Sequence, residues 1–215
     1  LKNGTFTNNQ ARLVHVSGGG THTINIENAT FTNNSVKGCG AIFLMDQSNA
    51  GNASAINVYG GTFTDNACLL SSASYGSGSI ARLKSPGALH FYGGTFANNT
   101  TVAGKNYEGI YLRDVSQKLG SNVYVHKLSA DLNVYLTPSS AKVFMSRIVV
   151  DSALTHMISV YIADNRVPAK GMPLVVGTDE YKLTEADLAM VKSANPKATF
   201  YLDTENNAIC IAKAE

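Results

Sequence analysis

The chain has 215 residues, of which 15% are charged, with a net charge of +2 and an abundance of Gly, Asn, Ser and Thr. That length allows one large domain, or a domain plus a small extra unit, with a continuous core. The small net charge, and tyrosines scattered away from any basic run, argue against nucleic-acid and anionic-membrane partners. No apolar run approaches the roughly 20 residues that would span a bilayer, so no membrane insertion is predicted.

Read in chain order, one phrase returns: Gly4-Thr5-Phe6-Thr7-Asn8-Asn9, Ala29-Thr30-Phe31-Thr32-Asn33-Asn34, Gly61-Thr62-Phe63-Thr64-Asp65-Asn66 and Gly94-Thr95-Phe96-Ala97-Asn98-Asn99. Its phenylalanines lie 25, 32 and 33 residues apart. Recurrence at such a period is the mark of a stacked-repeat architecture. The first strand series between phrases is Leu13–Val16, Ala41–Leu44, Ile80–Leu83 and Gly109–Leu112. The second is Thr23–Ile26, Ile56–Val58, Leu89–Phe91 and Val123–Val125. Both alternate apolar and polar residues, as half-buried strands do. The Thr-Phe dipeptide supplies a third short strand. Three short strands per repeat, joined by Gly/Ser/Asn turns, describe rungs of a parallel β-helix that must stack to close a core.

In such a coil Phe6, Phe31, Phe63 and Phe96 point inward and pile up at about the 4.8 Å interstrand spacing. Asn9, Asn34, Asn66 and Asn99 sit at the turn, bonding backbone and the like amide of the next rung, a structural ladder. Beyond Tyr124 the alternation persists in Leu132–Leu136, Val143–Met145, Ile148–Val150 and Ile158–Ile162, read as degenerate rungs. The predicted organisation is β-helix over 1–163 and a small α+β capping region over 164–215. Within the cap, Leu174–Val176 and Tyr181–Leu183 read as strands, and Thr184 caps a helix running through Val191. Thr199–Asp203 and Ala208–Ala212 form a hairpin. The chain opens within a repeat, and the expectation is a piece of a longer protein with further rungs. Cys39, Cys68 and Cys210 have no metal-like spacing and read as small buried residues; whether Cys39 and Cys68 are bridged stays open.

Phe-x-x-Asn together with Gly38-Cys39-Gly40-Ala41-Ile42 resembles the paired Phe-x-x-Asn and Gly-Gly-Ala-Ile motifs of polymorphic outer membrane proteins. Only the second repeat keeps the second motif, with Cys39 in place of a glycine. The run Gly120–Val125 and the segment Leu183–Leu188 resemble terminal parts of β-helix repeat proteins on Gram-positive bacteria. The resemblance implies an all-β, right-handed parallel β-helix of the pectate-lyase-like superfamily on a secreted or cell-surface bacterial protein. It implies an adhesin or stalk whose partners are a glycan, a host surface protein or further rungs of the parent chain. Because this scaffold also carries lyases and hydrolases, a polysaccharide-active enzyme is the alternative, and a pure spacer is a third.

With Val16, Leu44, Leu83 and Leu112 taken as inward equivalents, the preceding outward column is His15, Phe43, Arg82, Tyr111. The following one is Ser17, Met45, Lys84, Arg113. Neither holds the carboxylates that calcium binding or glycoside hydrolysis needs. Asp46 and Asp114, two rungs apart at about 9.6 Å by strand spacing, are the candidate catalytic acids. His15, Phe43, Arg82 and Tyr111, flanked by Lys84 and Arg113, form an aromatic and basic stripe suited to sugar or acidic ligands. Alternatively Phe43 and Tyr111 lie under the loops 46–54, 71–79 and 102–109. His90 falls on the second outward face; His22, His126 and His156 align with nothing. With no histidine–acid pair at ligand spacing, neither metal nor cofactor is predicted.

Overall fold

The computed structural model describes residues 1–37, 42–47, 54–69, 78–84, 86–101, 109–113, 120–137 and 145–214. Over these the protein is all-β, with a single five-residue α-helix, Glu185–Ala189. Each passage of the chain adds one strand to each of two long sheets. The broader sheet has ten strands; its axis runs through Thr5–Thr7, Ala29–Thr32, Ala55–Thr64, Ala88–Ala97, Asn122–Val125, Arg147–Val150 and Met172–Gly177. The narrower has seven, in the order Val14–Ser17, Phe43–Asp46, Ala81–Leu83, Ile110–Arg113, Leu132–Thr137, Ile158–Ile162 and Val191–Ser193. A third, short sheet joins Ser35–Val36, Ala67–Cys68 and Thr100–Thr101. All pairings within these runs are parallel. The core lies between the sheets and is built from their inward residues, among them Ile26, Ile56, Phe91 and Val123 from the broad sheet and Leu83 and Leu112 from the narrow one.

The recurrent phrase explains its own geometry. Phe6, Phe31, Phe63 and Phe96 are register partners, and each neighbouring pair stacks with ring centres 5.0 Å apart. The first asparagine or aspartate of each phrase is in the left-handed region: Asn8 (φ 57°), Asn33 (φ 55°), Asp65 (φ 56°) and Asn98 (φ 53°). Short amide and carboxyl side chains tolerate that conformation best after glycine. The turn aims the following asparagine inward. Asn34 donates through its side-chain amide to Asn66 Oδ1 (2.9 Å), and its backbone N–H donates to the same oxygen (3.1 Å). Asn66 repeats both bonds to Asn99 Oδ1, and Asn9 repeats them to Asn34 Oδ1. The spare amide hydrogens go to the carbonyls of Phe6, Phe31 and Phe63.

Several elements differ from the sequence reading. Thr-Phe is not a separate strand in the third and fourth repeats. It continues Ala55–Thr64 and Ala88–Ala97 past a bend at Gly60-Gly61 and Gly93-Gly94, where positive φ keeps the ladder running through a bulge. The helix stops at Ala189, and Val191 instead opens the last strand of the narrow sheet, where its side chain is buried. Residues 181–183 are irregular, because Tyr181 and Leu183 are held by bonds to Asp187 and Asn207 rather than by a ladder. The hairpin is Ala198–Asp203 with Ala208–Lys213, and its second strand closes antiparallel on Met172–Gly177. Val143 and Phe144 lie outside the described residues, as do Cys39 and most of its glycine-rich motif.

Candidate functional site

The narrow sheet places the stripe residues differently from their sequence alignment. Val14 pairs with Phe43 and His15 with Leu44, while Leu44 pairs with Arg82 and Arg82 with Tyr111. Phe43 therefore faces the core, fully buried, edge-on to Phe31 at 5.7 Å and Phe63 at 6.0 Å. A one-residue slip exchanges the two faces of a strand, and this is such a slip. The outward column is His15, Leu44, Arg82, Tyr111, Tyr135 and Tyr161. Only His15 in it is well exposed; Arg82 and Tyr111 are 8% and 2% accessible. The Arg82 guanidinium carbon lies 5.6 Å from the Tyr111 ring centre, and Tyr111, Tyr135 and Tyr161 stack at 5.2 Å. These groups form a buried cation–π column instead of an open stripe.

The same slip shifts Asp46: Met45 pairs with Leu83, so Asp46 comes beside Lys84. The Lys84 ammonium meets Asp46 Oδ1 at 3.0 Å, both half-exposed. Arg113 ends its strand opposite Thr137, and Asp114 lies outside the described residues.

An exposed aromatic array stands on the broad sheet. Its inward positions Val58, Phe91, Val125 and Val150 are register partners. The residues that follow them, Tyr59, Tyr92, His126 and Asp151, form an outward column. Tyr59 stacks on Tyr92 (ring centres 4.7 Å apart) and Tyr92 on His126 (4.1 Å). Alongside runs the column Asn25, Asn57, His90, Tyr124. There the Asn57 amide donates to Asn25 Oδ1 at 2.9 Å, and His90 stacks on Tyr124 at 4.3 Å. Tyr59 and Tyr92 are 48% and 39% accessible, two of the most exposed large apolar side chains among the described residues. A groove lined by Val125, His126, Leu128, Ala153, Leu154 and Thr155 borders the array.

The polar groups are linked. His126 Nδ1 meets Asp151 Oδ2, and His126 Nε2 meets His90 Nδ1 at 3.1 Å. His126, which aligns with nothing in the sequence reading, is thus paired with both an acid and a second histidine. Burial, and then His126, lower the pKa of His90. Burial, with Tyr59 and Asp151 nearby, raises that of Tyr92. Among the described residues no group of three His, Cys, Asp or Glu side chains is arranged to hold a metal ion. The signal that would have found this array is the repeat itself: Tyr59 and Tyr92 each stand four residues before a ladder phenylalanine, Phe63 and Phe96. Comparison with protein-family models, curated proteins and solved structures returned no match.

Proposed function

We propose that the chain is a right-handed parallel β-helix module of a secreted or cell-surface bacterial protein, and that it acts without catalysis, as an adhesin or stalk that holds a neutral glycan. What supports the coil is the parallel register of successive repeats and the continuous Phe and Asn ladders. Right-handedness follows from the twist of strands, which favours that hand for crossovers between parallel neighbours. The hairpin Ala198–Asp203/Ala208–Lys213 then serves as the cap that covers a sheet edge.

The observation that carries the binding reading is the exposed Tyr59–Tyr92–His126 column. It offers phenol hydroxyls and ring edges, flanked by the Asn25 and Asn57 amides, to a ligand running from rung to rung. Charges beside the column balance, Asp151 against Lys127 and Glu27 against Lys2, so no excess of positive charge gathers there to hold an acidic polysaccharide. The enzymatic alternative loses support from Asp46, whose carboxylate is engaged by Lys84. A glycan array probed with the wild-type chain and with a Tyr59→Ala/Tyr92→Ala variant tests the reading. Signal on neutral glycans that disappears in the variant is expected. Signal confined to uronic acids, or equal in both proteins, would overturn it, and binding only to host protein would redirect the module to a protein ligand.

A further inference from the structure

One contact in the array is not explained by ring packing. His90 Nδ1 and His126 Nε2 are 3.1 Å apart, while the two ring centres are 5.4 Å apart and the rings lie within 7° of parallel. Centres that distant, with nitrogens that close, require the two nitrogens to point straight at one another in a shared plane. Beyond them His126 Nδ1 meets Asp151 Oδ2, so the three groups form one line. The carboxylate only accepts hydrogen bonds, so His126 keeps a proton on Nδ1. Between the rings there is room for one proton on one nitrogen. A metal ion does not suit the gap, since its ligands must converge at about 2.0–2.1 Å on a common point and not oppose each other.

We infer that this line is a proton-operated latch on the ligand surface: once both rings are doubly protonated, N–H faces N–H across the gap, His90 parts from His126, the aromatic array opens, and a ligand held at neutral pH is released in acid. The inference rests on the reading of the array as a ligand surface. Its mechanical part follows from the stacking. His90 lies on Tyr124 with rings within 6° of parallel, and His126 lies on Tyr92 within 5°. Two N–H groups placed head to head repel, and a ring that tilts out of the shared plane to escape presses on the tyrosine stacked against its face.

The groups that face the pair come from each neighbouring strand. Ala55–Thr64 supplies Asn57 and Tyr59, Ala88–Ala97 supplies Tyr92, and Asn122–Val125 supplies Tyr124. Asp151 follows Arg147–Val150, whose Val149 is the register partner of Tyr124, and exposed Lys127 follows His126. Among these described residues Asp151 and Lys127 carry charge at neutral pH, and Asp151 is committed to His126. With only one ring doubly protonated the gap still holds a single proton; the proton that fills both rings is the one His90 resists, since burial and His126 hold its pKa below the ordinary histidine value. A group with a depressed folded-state pKa favours the closed form above its ordinary value, and that preference is lost as pH falls through the depressed one. Opening thus belongs to the acid side of the usual histidine range, about pH 6.5.

The test is imidazole and tyrosine-ring NMR of the whole chain between about pH 8 and about pH 4, with cellohexaose as a neutral linear probe in a parallel binding titration. His90 is expected to titrate below the ordinary histidine value, with the Tyr92 and Tyr124 ring signals moving at that same step. In His126→Gln the His90 step moves up. Cellohexaose affinity falls at least about tenfold through the step, a loss of about 1.4 kcal/mol. In His90→Gln, which cannot take up the proton, the ratio of affinities at the two ends falls to about one. A His90 step without tyrosine movement overturns the latch, as does affinity unchanged across it. Cellohexaose binding absent at every pH, with the ring movements intact, overturns the neutral-glycan reading and leaves the proton-driven opening standing.

Discussion

Asn66→Ala separates the polar ladder from ordinary turn chemistry. Asn66 is fully buried. Its oxygen accepts from the Asn34 backbone N–H (3.1 Å) and side-chain amide (2.9 Å), and its own amide donates to the Phe31 carbonyl and to Asn99 Oδ1, both at 2.9 Å. Truncation leaves Asn99 Oδ1 one partner, the Asn66 backbone N–H. It strands the two Asn34 donors in the interior, however, at about 1–3 kcal/mol for each buried group left unpaired. With some water entering the space, a loss of about 3 kcal/mol is expected. Asn9→Ala is the internal control. Asn9 is only half-buried, and its loss leaves Asn34 Oδ1 still accepting from the Asn9 backbone N–H, so the cost is about 1 kcal/mol or less. Urea denaturation followed by far-UV circular dichroism, compared at equal m-value, measures both. Equal losses in the two variants would refute the claim that the ladder is a cooperative, buried network.

Other consequences follow from single sites. Phe31→Ala, which removes a ring stacked on both sides and fully buried, is expected to cost about 3–5 kcal/mol in the same denaturation assay, and Phe6→Ala, half-buried with one stacking neighbour, about half as much. Gly61→Ala combines φ +123° with an added carbon 2.3 Å from the Ala29 carbonyl oxygen, so a lowered melting temperature is expected, from about 1–3 kcal/mol of strain. Burial alone would raise the pKa of Asp187, but hydrogen bonds from Leu154, Thr184 and Tyr181 outweigh it and leave it lowered. Its stabilising contribution is present above the unfolded carboxyl value of about 3.9 and is lost as pH falls below it. Acid unfolding curves of wild type and Asp187→Asn should therefore converge at low pH. Tyr181, raised to about 12 by burial and by Asp187, should stay protonated in alkaline absorbance titrations until about that pH.

The parts of the fold that could be read from sequence are those where a side chain has only one workable place. An Asn or Asp before each ladder asparagine marks a left-handed turn, and a phenylalanine three residues before that asparagine marks the inward stack. The second rung resisted reading because Ile42, Phe43, Leu44 and Met45 are all buried, so alternation carries no parity there. Only pairing with Val14 and Ala81 decides that Phe43 faces inward and Leu44 outward. That slip carried the stripe with it and set Asp46 beside Lys84. The array on the broad sheet was hidden for a different reason. The Phe and Asn phrase ends at Asn99; the second strand series sets Val125 level with Phe91, and so His126 level with Tyr92, but Asp151 joins the column only through the register of Val125 with Val150. The early stop of the helix is a tertiary effect, in which burying Val191 in the narrow sheet outweighs another turn of helix.

The proposed ligand surface is the Tyr59–Tyr92–His126 column, while Arg82 and Tyr111 belong to a buried cation–π column. The most direct test is calorimetric titration of cellohexaose into the wild-type chain, Tyr92→Ala and Arg82→Ala at neutral pH, each variant first checked for native circular dichroism. Binding is expected to be abolished in Tyr92→Ala and retained in Arg82→Ala. Binding retained in Tyr92→Ala and lost in a folded Arg82→Ala would contradict that assignment and return the site to the narrow sheet.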